Sequence, residues 1–408
     1  MKSGTKKFFI GGAILFVSYN LFNLFNLIFN FMAARKLGPA DYGIFAAIMS
    51  LILIFTFPME SIQTVICRMT IKFKVGKKDY EIKRLMINSL KRSLIFSAIG
   101  YICVLLVSSV LGQIIHIDQN LLILAGLYLF GTFLIPVTRG TLQGTKRFTS
   151  LGLTYIVEGA INLGLGILLI YLGFGVSGAV IGAVLSIIIA FFVSFIFLKE
   201  ILYLKTKEIK DDKKISYPLA SLIAVTCIVV LMAMDILAAK IFFPPKEAGY
   251  YGTISYLGKI IFLGTWGISR AMFPLASENY DKKKDYMPLL EKTFVIIFFI
   301  SFAVCTIYFL FPRLIIGTLY GEQYLIVSSL LAYPAISMMM LSLTNIFVLF
   351  NISTNHPKRN YIVAFFVPLE ILALSIFNSS LQEFSITLVV SNMLLFFAMV
   401  FVSLRKSL

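Results

Sequence analysis

Twelve mostly apolar runs, separated by short charged stretches, follow one another through nearly the whole chain. A helix needs roughly 20 apolar residues to cross about 30 Å of hydrocarbon, and each run is long enough to do so. Soluble chains of 408 residues do not reach 59% hydrophobic residues, 13% charged residues and a mean hydropathy of +0.93. We therefore predict an all-α integral membrane protein. The predicted spans are 8–33, 43–67, 93–112, 120–142, 150–172, 176–198, 217–243, 249–276, 288–311, 323–351, 359–377 and 383–404.

The positions of Lys and Arg indicate how these spans are oriented. Most of the 36 basic residues fall at the amino terminus and in every second connection, as the positive-inside rule requires. This alternation explains the formal charge of +17 without a nucleic-acid partner, and we expect none. It also predicts a multi-pass protein of the cytoplasmic membrane with both termini in the cytoplasm. The basic stretches are 2–7, 68–92, 139–147, 199–214, 270–292, 358–359 and 405–406.

Nothing in the sequence points to catalysis or to a resident metal. The longest predicted connections, residues 69–92 and 199–216, are too short to form an enzyme domain. There is no GxxxxGK[ST] phosphate loop and no HExxH motif, and His116 and His356 lie in separate loops. The four Cys residues fall inside predicted spans without CxxC spacing. We expect a protein that is not an enzyme, with no cofactor other than a coupling H⁺ or Na⁺.

A sequence motif occurs twice, where the chain enters the second and the eighth span. Residues 39–43, PADYG, and residues 245–249, PKEAG, both fit the pattern Pro-x-acidic-x-Gly at an offset of 206 residues. That offset is close to half of the 408 residues. Transporters are often built from such repeats, with the substrate path at the interface between the halves.

A second pair of segments agrees with this repeat. Arg147 precedes Glu158 by eleven residues, and Arg359 precedes Glu370 by the same spacing, at an offset of 212 residues. Because each half then has six spans, both halves have the same topology, and we predict a parallel repeat about an axis near the membrane normal. The predicted divisions are an amino-terminal six-helix bundle at 1–200, a cytoplasmic linker at 201–216 and a carboxy-terminal six-helix bundle at 217–408.

Three stretches of the chain carry a family resemblance. They are ARKLGPADYG at 34–43, RGTLQGTKRF at 139–148, and a segment from Asp235 through PKEAGYY at 245–251 to Phe273 and Pro274. In this order they resemble the polysaccharide-export, or Wzx-type O-antigen, flippase family. That family belongs to the multidrug/oligosaccharidyl-lipid/polysaccharide (MOP) exporter superfamily.

The resemblance implies a fold and a function. It implies a MATE-like fold of two six-helix bundles, and a flippase that moves isoprenoid-pyrophosphate-linked glycans by alternating access. The implied partners are the lipid-linked glycan, membrane lipid, and a glycan polymerase or other assembly proteins. Lipid II flippases of the same superfamily usually have two further helices, for which this chain lacks room. The peptidoglycan precursor is therefore less favoured as substrate.

Ionisable side chains inside the predicted spans are functional candidates, because they are costly to place in lipid. Lys259 lies ten residues after Gly249, and Asp235 lies nine residues before Pro244. In antiparallel neighbouring helices the two side chains would share a depth and could neutralise each other. One interpretation is a structural ion pair. The other is that Lys259 binds the substrate anion in one state and Asp235 in the other.

Three arginines come at predicted inner ends of spans. Arg68, Arg139 and Arg270 each present a guanidinium group that can bind a pyrophosphate in bidentate fashion. An ordinary anchoring role at the membrane surface explains them as well.

Three glutamates are candidates for binding the coupling ion. Glu60 lies two helical turns before Arg68, and Glu158 and Glu370 are related by the repeat and fall near mid-membrane. Each could bind a proton or Na⁺. The alternative for Glu158 and Glu370 is a structural role in hydrogen bonds between helices.

The first span carries a stripe of asparagines. Asn20, Asn23, Asn26 and Asn30 fall within roughly a 120° arc at about 100° per residue. Such a face avoids lipid. Asn23, Asn26 and Asn30 could bind sugar hydroxyls if they line a cavity, and hydrogen bonding between helices explains the stripe equally well.

The sequence thus favours an ion-coupled flippase for a lipid-linked oligosaccharide, used in surface polysaccharide biosynthesis. A cation-coupled multidrug or metabolite exporter of the same superfamily is one alternative. A membrane glycan polymerase is the other, although polymerases normally need a sizeable outer loop. The sequence does not reveal the glycan, the carrier lipid or the coupling ion.

Overall fold

The computed structural model describes residues 3–76, 78–203 and 219–404, without the side chains of 3–13, 57–61, 219–222, 274 and 281. These ranges fold into α-helices with short 3₁₀ and π turns, and they contain no strand. Most of the predicted linker 201–216 lies outside the described residues. The helices are α1 Ser3–Val75, α2 Asp79–Ile115, α3 Gln119–Gly126, α4 Tyr128–Gly144, α5 Phe148–Leu169, α6 Gly175–Leu202, α7 Leu219–Phe242, α8 Pro245–Asp281, α9 Met287–Leu310, α10 Pro312–Leu319, α11 Ala332–Ser353, α12 Tyr361–Ile376 and α13 Leu381–Leu404.

Ten helical segments in the described ranges are long and apolar enough to span a membrane. Of these, Ile14–Thr56 overlaps two of the predicted spans, and Phe148–Leu202 contains two others. The first is bent at Gly38, whose φ of +77° is a left-handed conformation that favours glycine. The second bends at a π-helical turn, Ile170–Phe174. The prediction of an all-α protein with about twelve transmembrane helices is confirmed.

Two predicted boundaries are wrong. Residues 69–92 were expected to form a loop, but α1 continues to Val75 and α2 begins at Asp79. A helix that leaves the membrane can continue into water, because its backbone hydrogen bonds are already made within the helix. The predicted tenth span, 323–351, begins instead with a 3₁₀ helix, Glu322–Leu330, and α11 starts only at Ala332.

Contacts divide the chain into two compact units. Unit 1 comprises Met1–Leu37 and Phe55–Lys213, and unit 2 comprises Gly38–Ile54 and Lys214–Leu408. The two halves of the sequence therefore do not coincide with the two units, since Gly38–Ile54 clusters with the carboxy-terminal helices.

In unit 1, α4 packs closely against the inner part of α1 through two glycines. A Cβ atom on Gly140 would lie 2.6 Å from the carbonyl oxygen of Gln63. A Cβ atom on Gly144 would lie 2.5 Å from the Cβ atom of Thr70. This small-xxx-small spacing lets two backbones approach each other, as is common between membrane helices. It also explains part of the RGTLQGTKRF motif as a packing feature.

In unit 2, α11 is the central helix. It packs against α8, α9 and α13, and it is the most buried of the candidate spans in the described ranges. Its buried residues include Met338 and Leu341 and also the polar Ser337 and Asn345. A helix that avoids lipid on all sides can carry polar groups, provided that they find partners on neighbouring helices.

The repeat is visible in matched contacts at the two arginines. Arg147 donates a hydrogen bond to the carbonyl of Phe197, near the end of α6. Arg359 donates a hydrogen bond to the carbonyl of Ser403, near the end of α13. Each arginine thus caps the last helix of its own unit, as a parallel repeat would require.

Candidate functional site

Unit 2 contains a buried ion pair between α7 and α8. The Lys259 ammonium lies 3.0 Å from a carboxylate oxygen of Asp235, and the two side chains are 6% and 1% exposed. The structure thus brings together the two residues that the sequence placed at one depth. Two opposite charges buried at this distance attract each other far more strongly than they would in water.

Asp235 is held by a complete set of donors. One carboxylate oxygen accepts a hydrogen bond from the backbone N–H of Ile236 at 2.7 Å, in addition to the ion pair. The other accepts hydrogen bonds from the hydroxyls of Tyr251, at 3.2 Å, and Ser255. Tyr251, Ser255 and Lys259 are spaced by four residues and therefore share one face of α8.

Lys259 is less completely bonded than Asp235. Among the described residues the ammonium has Asp235 as its one polar partner, although an ammonium group carries three N–H donors. Some N–H donors of the buried Lys259 ammonium group therefore have no acceptor among these residues. A ligand with anionic oxygens could accept from them.

Glu370 lies in a second polar cluster of unit 2, formed by α11, α12 and α13. One of its carboxyl oxygens lies 3.4 Å from the amide nitrogen of Asn392, which also donates to the hydroxyl of Ser337 at 3.0 Å. The other carboxyl oxygen of Glu370 and the amide oxygen of Asn392 have no hydrogen-bond partner among the described residues. Glu370 is 1% exposed and pairs with no Lys or Arg in these ranges. These two unpaired oxygens could bind a proton or a cation.

Unit 1 holds the other buried glutamate in a different setting. Arg139 on α4 donates to the carboxylate of Glu158 on α5, and also to the hydroxyl and the carbonyl of Thr154 at 3.1 Å each. The guanidinium lies over the ring of Tyr155, 3.8 Å from its centroid. Arg139 and Glu158 are each 6% exposed. The structure thus pairs a predicted substrate-binding residue with a predicted ion-coupling residue.

The asparagine stripe of α1 is hydrogen-bonded to α5 through Asn26. Asn26 accepts a hydrogen bond from the amide of Asn162 on α5 at 2.8 Å. Asn20, Asn26 and Asn30 donate to backbone carbonyls one turn earlier in α1. Asn23 is exposed, and no interaction was found for it among the described residues. Asn26 thus makes the bond between helices that one interpretation required, while Asn23 stays open to a ligand.

The remaining candidates lie apart from these clusters. Arg68 is exposed and has no partner among the described residues. Arg270 is exposed and lies over Trp266 at 4.8 Å. The side chain of Glu60 lies outside the described part of the chain. Among the described residues, Arg68 forms no ion pair with the buried carboxylates of these clusters.

Four polar residues of the two clusters in unit 2 were absent from the predicted site. Tyr251 and Ser255 could have been found, because they precede Lys259 at four-residue intervals on one helix face. Ser337 and Asn392 carry no such signal in the sequence. Their proximity to Glu370 follows from the packing of three helices that are distant in sequence.

Comparison with known proteins places the chain in a family. Residues 32–329, more than half of the chain, match the family described as polysaccharide biosynthesis protein. An uncharacterized membrane protein of Methanocaldococcus jannaschii, MJ1375, is 30% identical over 191 residues. This match covers 46% of the present chain and 43% of that relative, so it spans less than half of the relative's length.

Solved structures share the fold. A multidrug resistance MATE family transporter of the MOP superfamily, in an inward-facing conformation, matches with a TM-score of 0.77 at 17% identity, over 94% of each chain. A MOP superfamily transporter from Pyrococcus furiosus matches with a TM-score of 0.64 at 18% identity, over 96% of this chain and 94% of that one. The eukaryotic MATE transporter AtDTX14 matches at 0.68 and 14% identity, over 99% and 96%.

These findings agree with the resemblance that the three sequence stretches carry. The matching structures are transporters rather than enzymes, in line with the expectation from the sequence. The chain is a multi-pass membrane protein with a MATE-like fold, and it belongs to the family of polysaccharide biosynthesis proteins.

Proposed function

We propose that this protein is a flippase that moves an isoprenoid-pyrophosphate-linked oligosaccharide across the cytoplasmic membrane for surface polysaccharide biosynthesis. Both termini lie in the cytoplasm, as the basic connections indicate. Flipping is coupled to an H⁺ or Na⁺ gradient. A glycan polymerase or other assembly protein takes over the product. The family match supports the process, and the buried Lys259 with its unused donors is the observation that supports the substrate chemistry.

The pyrophosphate group is the part of the substrate that is most costly to move through the hydrocarbon of the membrane. Its negative charges must be matched by cations, because an unpaired charge in hydrocarbon is very costly. Lys259 supplies a cation already desolvated, and Asp235 holds that cation in place while no substrate is bound. Substrate oxygens take the place of Asp235 or share the ammonium with it. Arg68 and Arg270, both exposed, are candidates for the first contact with the anion.

The sugar part of the substrate needs neutral hydrogen-bonding groups. The α1 asparagines provide them, with Asn23 exposed and Asn26 and Asn30 half-buried. Amide side chains both donate and accept, which suits hydroxyl groups of unknown arrangement.

Coupling to an ion is assigned to the Glu370 cluster of unit 2. A buried carboxyl group without a cation partner is costly to ionise and takes up a proton or a cation instead. Glu370 on α12 and Asp235 on α7 lie on helices that pack against each other. Loading of Glu370 therefore changes the field at the Asp235–Lys259 pair. Through this link an ion gradient can favour release of the substrate anion.

The substrate assignment is tested in proteoliposomes that contain a fluorescent undecaprenyl-pyrophosphate oligosaccharide. Flipping by wild type is compared with flipping by the double variant Asp235→Asn/Lys259→Gln, which removes both charges without leaving either one unpaired. We expect the double variant to fold and to lose flipping. The control is Glu278→Gln, at an exposed ion pair on the same helix α8, which should flip like wild type.

Two outcomes would overturn the substrate assignment. Normal flipping by the double variant would show that the ion pair is only structural. No flipping of any pyrophosphate-linked glycan by wild type, together with efflux of small organic cations, would instead support the multidrug exporter.

The coupling assignment is tested in the same vesicles with imposed H⁺ or Na⁺ gradients. Glu370→Gln keeps the size and hydrogen bonding of the neutral side chain but cannot exchange a proton. We expect this variant to flip at the rate that wild type shows without a gradient, whichever gradient is imposed. Full gradient dependence in Glu370→Gln would exclude Glu370 as the coupling residue.

A further inference from the structure

The connection between α9 and α11 forms a small folded element, here called the connector, residues 311–330. The helical direction changes at Phe311, whose φ is −125°, and α10 follows. After Gly321, whose φ is +97°, the chain forms the 3₁₀ helix Glu322–Leu330. The sequence had suggested a short loop and the start of a span in this region.

One face of the connector is anchored to unit 2 by tyrosines. Tyr320 and Tyr324 are fully buried, and their rings lie 5.6 Å apart. Tyr324 also packs edge-on against Tyr250 near the start of α8, at 6.0 Å. The far end of α8 carries Lys282, about 48 Å from Tyr250 along a straight helix. The connector therefore lies on the membrane side opposite the basic connections.

The other face of the connector is apolar and uncovered in unit 2. Phe311, Leu314 and Ile326 are 52%, 63% and 74% exposed. Large apolar side chains exposed to this extent, at the end of a membrane span, are suited to the headgroup and acyl-chain boundary of a bilayer. The connector is thus built like an in-plane membrane element, with tyrosines towards the protein and aliphatic groups outward.

A cavity of about 490 Å³ lies on this face, and Arg313 is among its lining residues. Apolar side chains of Leu310, Leu325 and Ile326 form walls of the cavity, and Ser329 adds a hydroxyl. The part of the chain that the structure describes places no carboxylate in the lining of this cavity. Arg313 is exposed and has no ion-pair or hydrogen-bond partner among the described residues. A guanidinium without a counter-ion beside an apolar surface is complementary to a lipid that has a phosphate headgroup.

We propose that this cavity binds an anionic membrane phospholipid from the leaflet opposite the basic connections. Arg313 binds the phosphate, Ser329 donates to it, and the acyl chain lies against Leu314 and Ile326. A single guanidinium matches the single charge of a phosphodiester better than the charges of a pyrophosphate. The occupant is therefore a bilayer lipid rather than the transported glycan carrier, and the proposal does not depend on which substrate is moved.

The test uses the full-length protein in nanodiscs and a tryptophan introduced by Ile326→Trp. Wild type has Trp266 as its sole tryptophan, so the signal of the new one is the difference between the two proteins. Nanodiscs of phosphatidylcholine contain equal fractions of either brominated phosphatidylglycerol or brominated phosphatidylcholine. We expect an apparent preference of about fivefold for the anionic lipid, the usual effect of one basic side chain near anionic headgroups.

Two additional variants and one competitor make the test specific. Arg313→Gln in the Ile326→Trp background should quench equally with both lipids. Lys246→Gln, which removes an exposed cation of unit 2 outside the cavity, should keep the preference. Equal quenching in the parent would overturn the phosphate assignment, and no quenching by either lipid would show that the face is not in the membrane. Reversal of the preference by millimolar inorganic phosphate would mean a site for free phosphate, not for lipid.

Discussion

Each of the two units contains one buried glutamate at a position related by the repeat, and the partners of this glutamate differ between the units. In unit 1, Glu158 accepts from Arg139, which is itself held by Thr154 and Tyr155. In unit 2, Glu370 lies against the amide of Asn392 and has no cation partner among the described residues. A fold built from two similar halves can therefore hold the same acid in an ion pair with arginine in one half and beside a neutral amide in the other.

The cation that would correspond to Arg139 is missing from unit 2. The residue 212 positions after Arg139 is Asn351, which donates to Asn360 and Ser403 at 2.9 Å each and not to Glu370. Lys259, a buried cation of unit 2, lies instead on α8, where it pairs with Asp235. In unit 2 this cation and Glu370 are thus on different helices, α8 and α12.

The largest expected effect is on stability, from the matched variants Glu158→Gln and Glu370→Gln. Glu158→Gln leaves the Arg139 guanidinium buried without a counter-ion and should cost about 3–5 kcal/mol in the free energy of unfolding. Glu370→Gln breaks no ion pair and should cost less than about 1 kcal/mol. Reversible unfolding of both purified variants in detergent measures the difference.

A double variant serves as the control for this pair. Arg139→Met/Glu158→Leu removes the ion pair as a whole and should recover most of the stability lost in Glu158→Gln, because apolar residues often replace a buried ion pair without loss. Equal destabilisation by Glu158→Gln and Glu370→Gln would contradict the contrast between the units.

A smaller effect is expected where the two copies of the Pro-x-acidic-x-Gly motif meet, within unit 2. A Cβ atom on Gly249 would lie 1.6 Å from the carbonyl oxygen of Pro39, and one on Gly43 would lie 2.9 Å from the Cα atom of Gly249. Gly249→Ala should therefore cost about 1–3 kcal/mol by overpacking. Gly267→Ala on the same helix α8 has no neighbour within 4 Å and is the control. If both variants unfold alike, the close contact is not formed.

The smallest effect concerns the arginines that cap the last helix of each unit, where the two units should behave alike. Arg147→Gln and Arg359→Gln each remove a hydrogen bond to a helix carbonyl, and each should cost about 1 kcal/mol. Arg147 also pairs with Glu200, but that carboxylate is 81% exposed, so the pair adds little. A much larger cost for Arg147→Gln than for Arg359→Gln, measured by the same unfolding assay, would show that this cap also differs between the units.

Much of the fold could be predicted from local patterns. Hydrophobic runs locate membrane helices because lipid offers no partner for backbone N–H and C=O groups, so each span must satisfy its own. The same patterns placed Asp235 and Lys259 at one depth, since adjacent antiparallel helices share a simple geometry. The local patterns did not predict the connector. A helix as short as α10 has too few apolar residues to be distinguished from the start of a membrane span.

By itself, the sequence determined the membrane class, the approximate positions of the spans, the repeat and the common depth of Asp235 and Lys259 on consecutive helices. Only the tertiary structure decided that Arg139 neutralises Glu158, that Asn392 and Ser337 meet at Glu370, and that Arg313 lies beside an uncovered apolar face. Hydropathy measures the free energy of transfer from water to lipid for each segment alone. Partners inside the membrane are set by which helix faces pack together, and that choice depends on shape and small residues along whole helices.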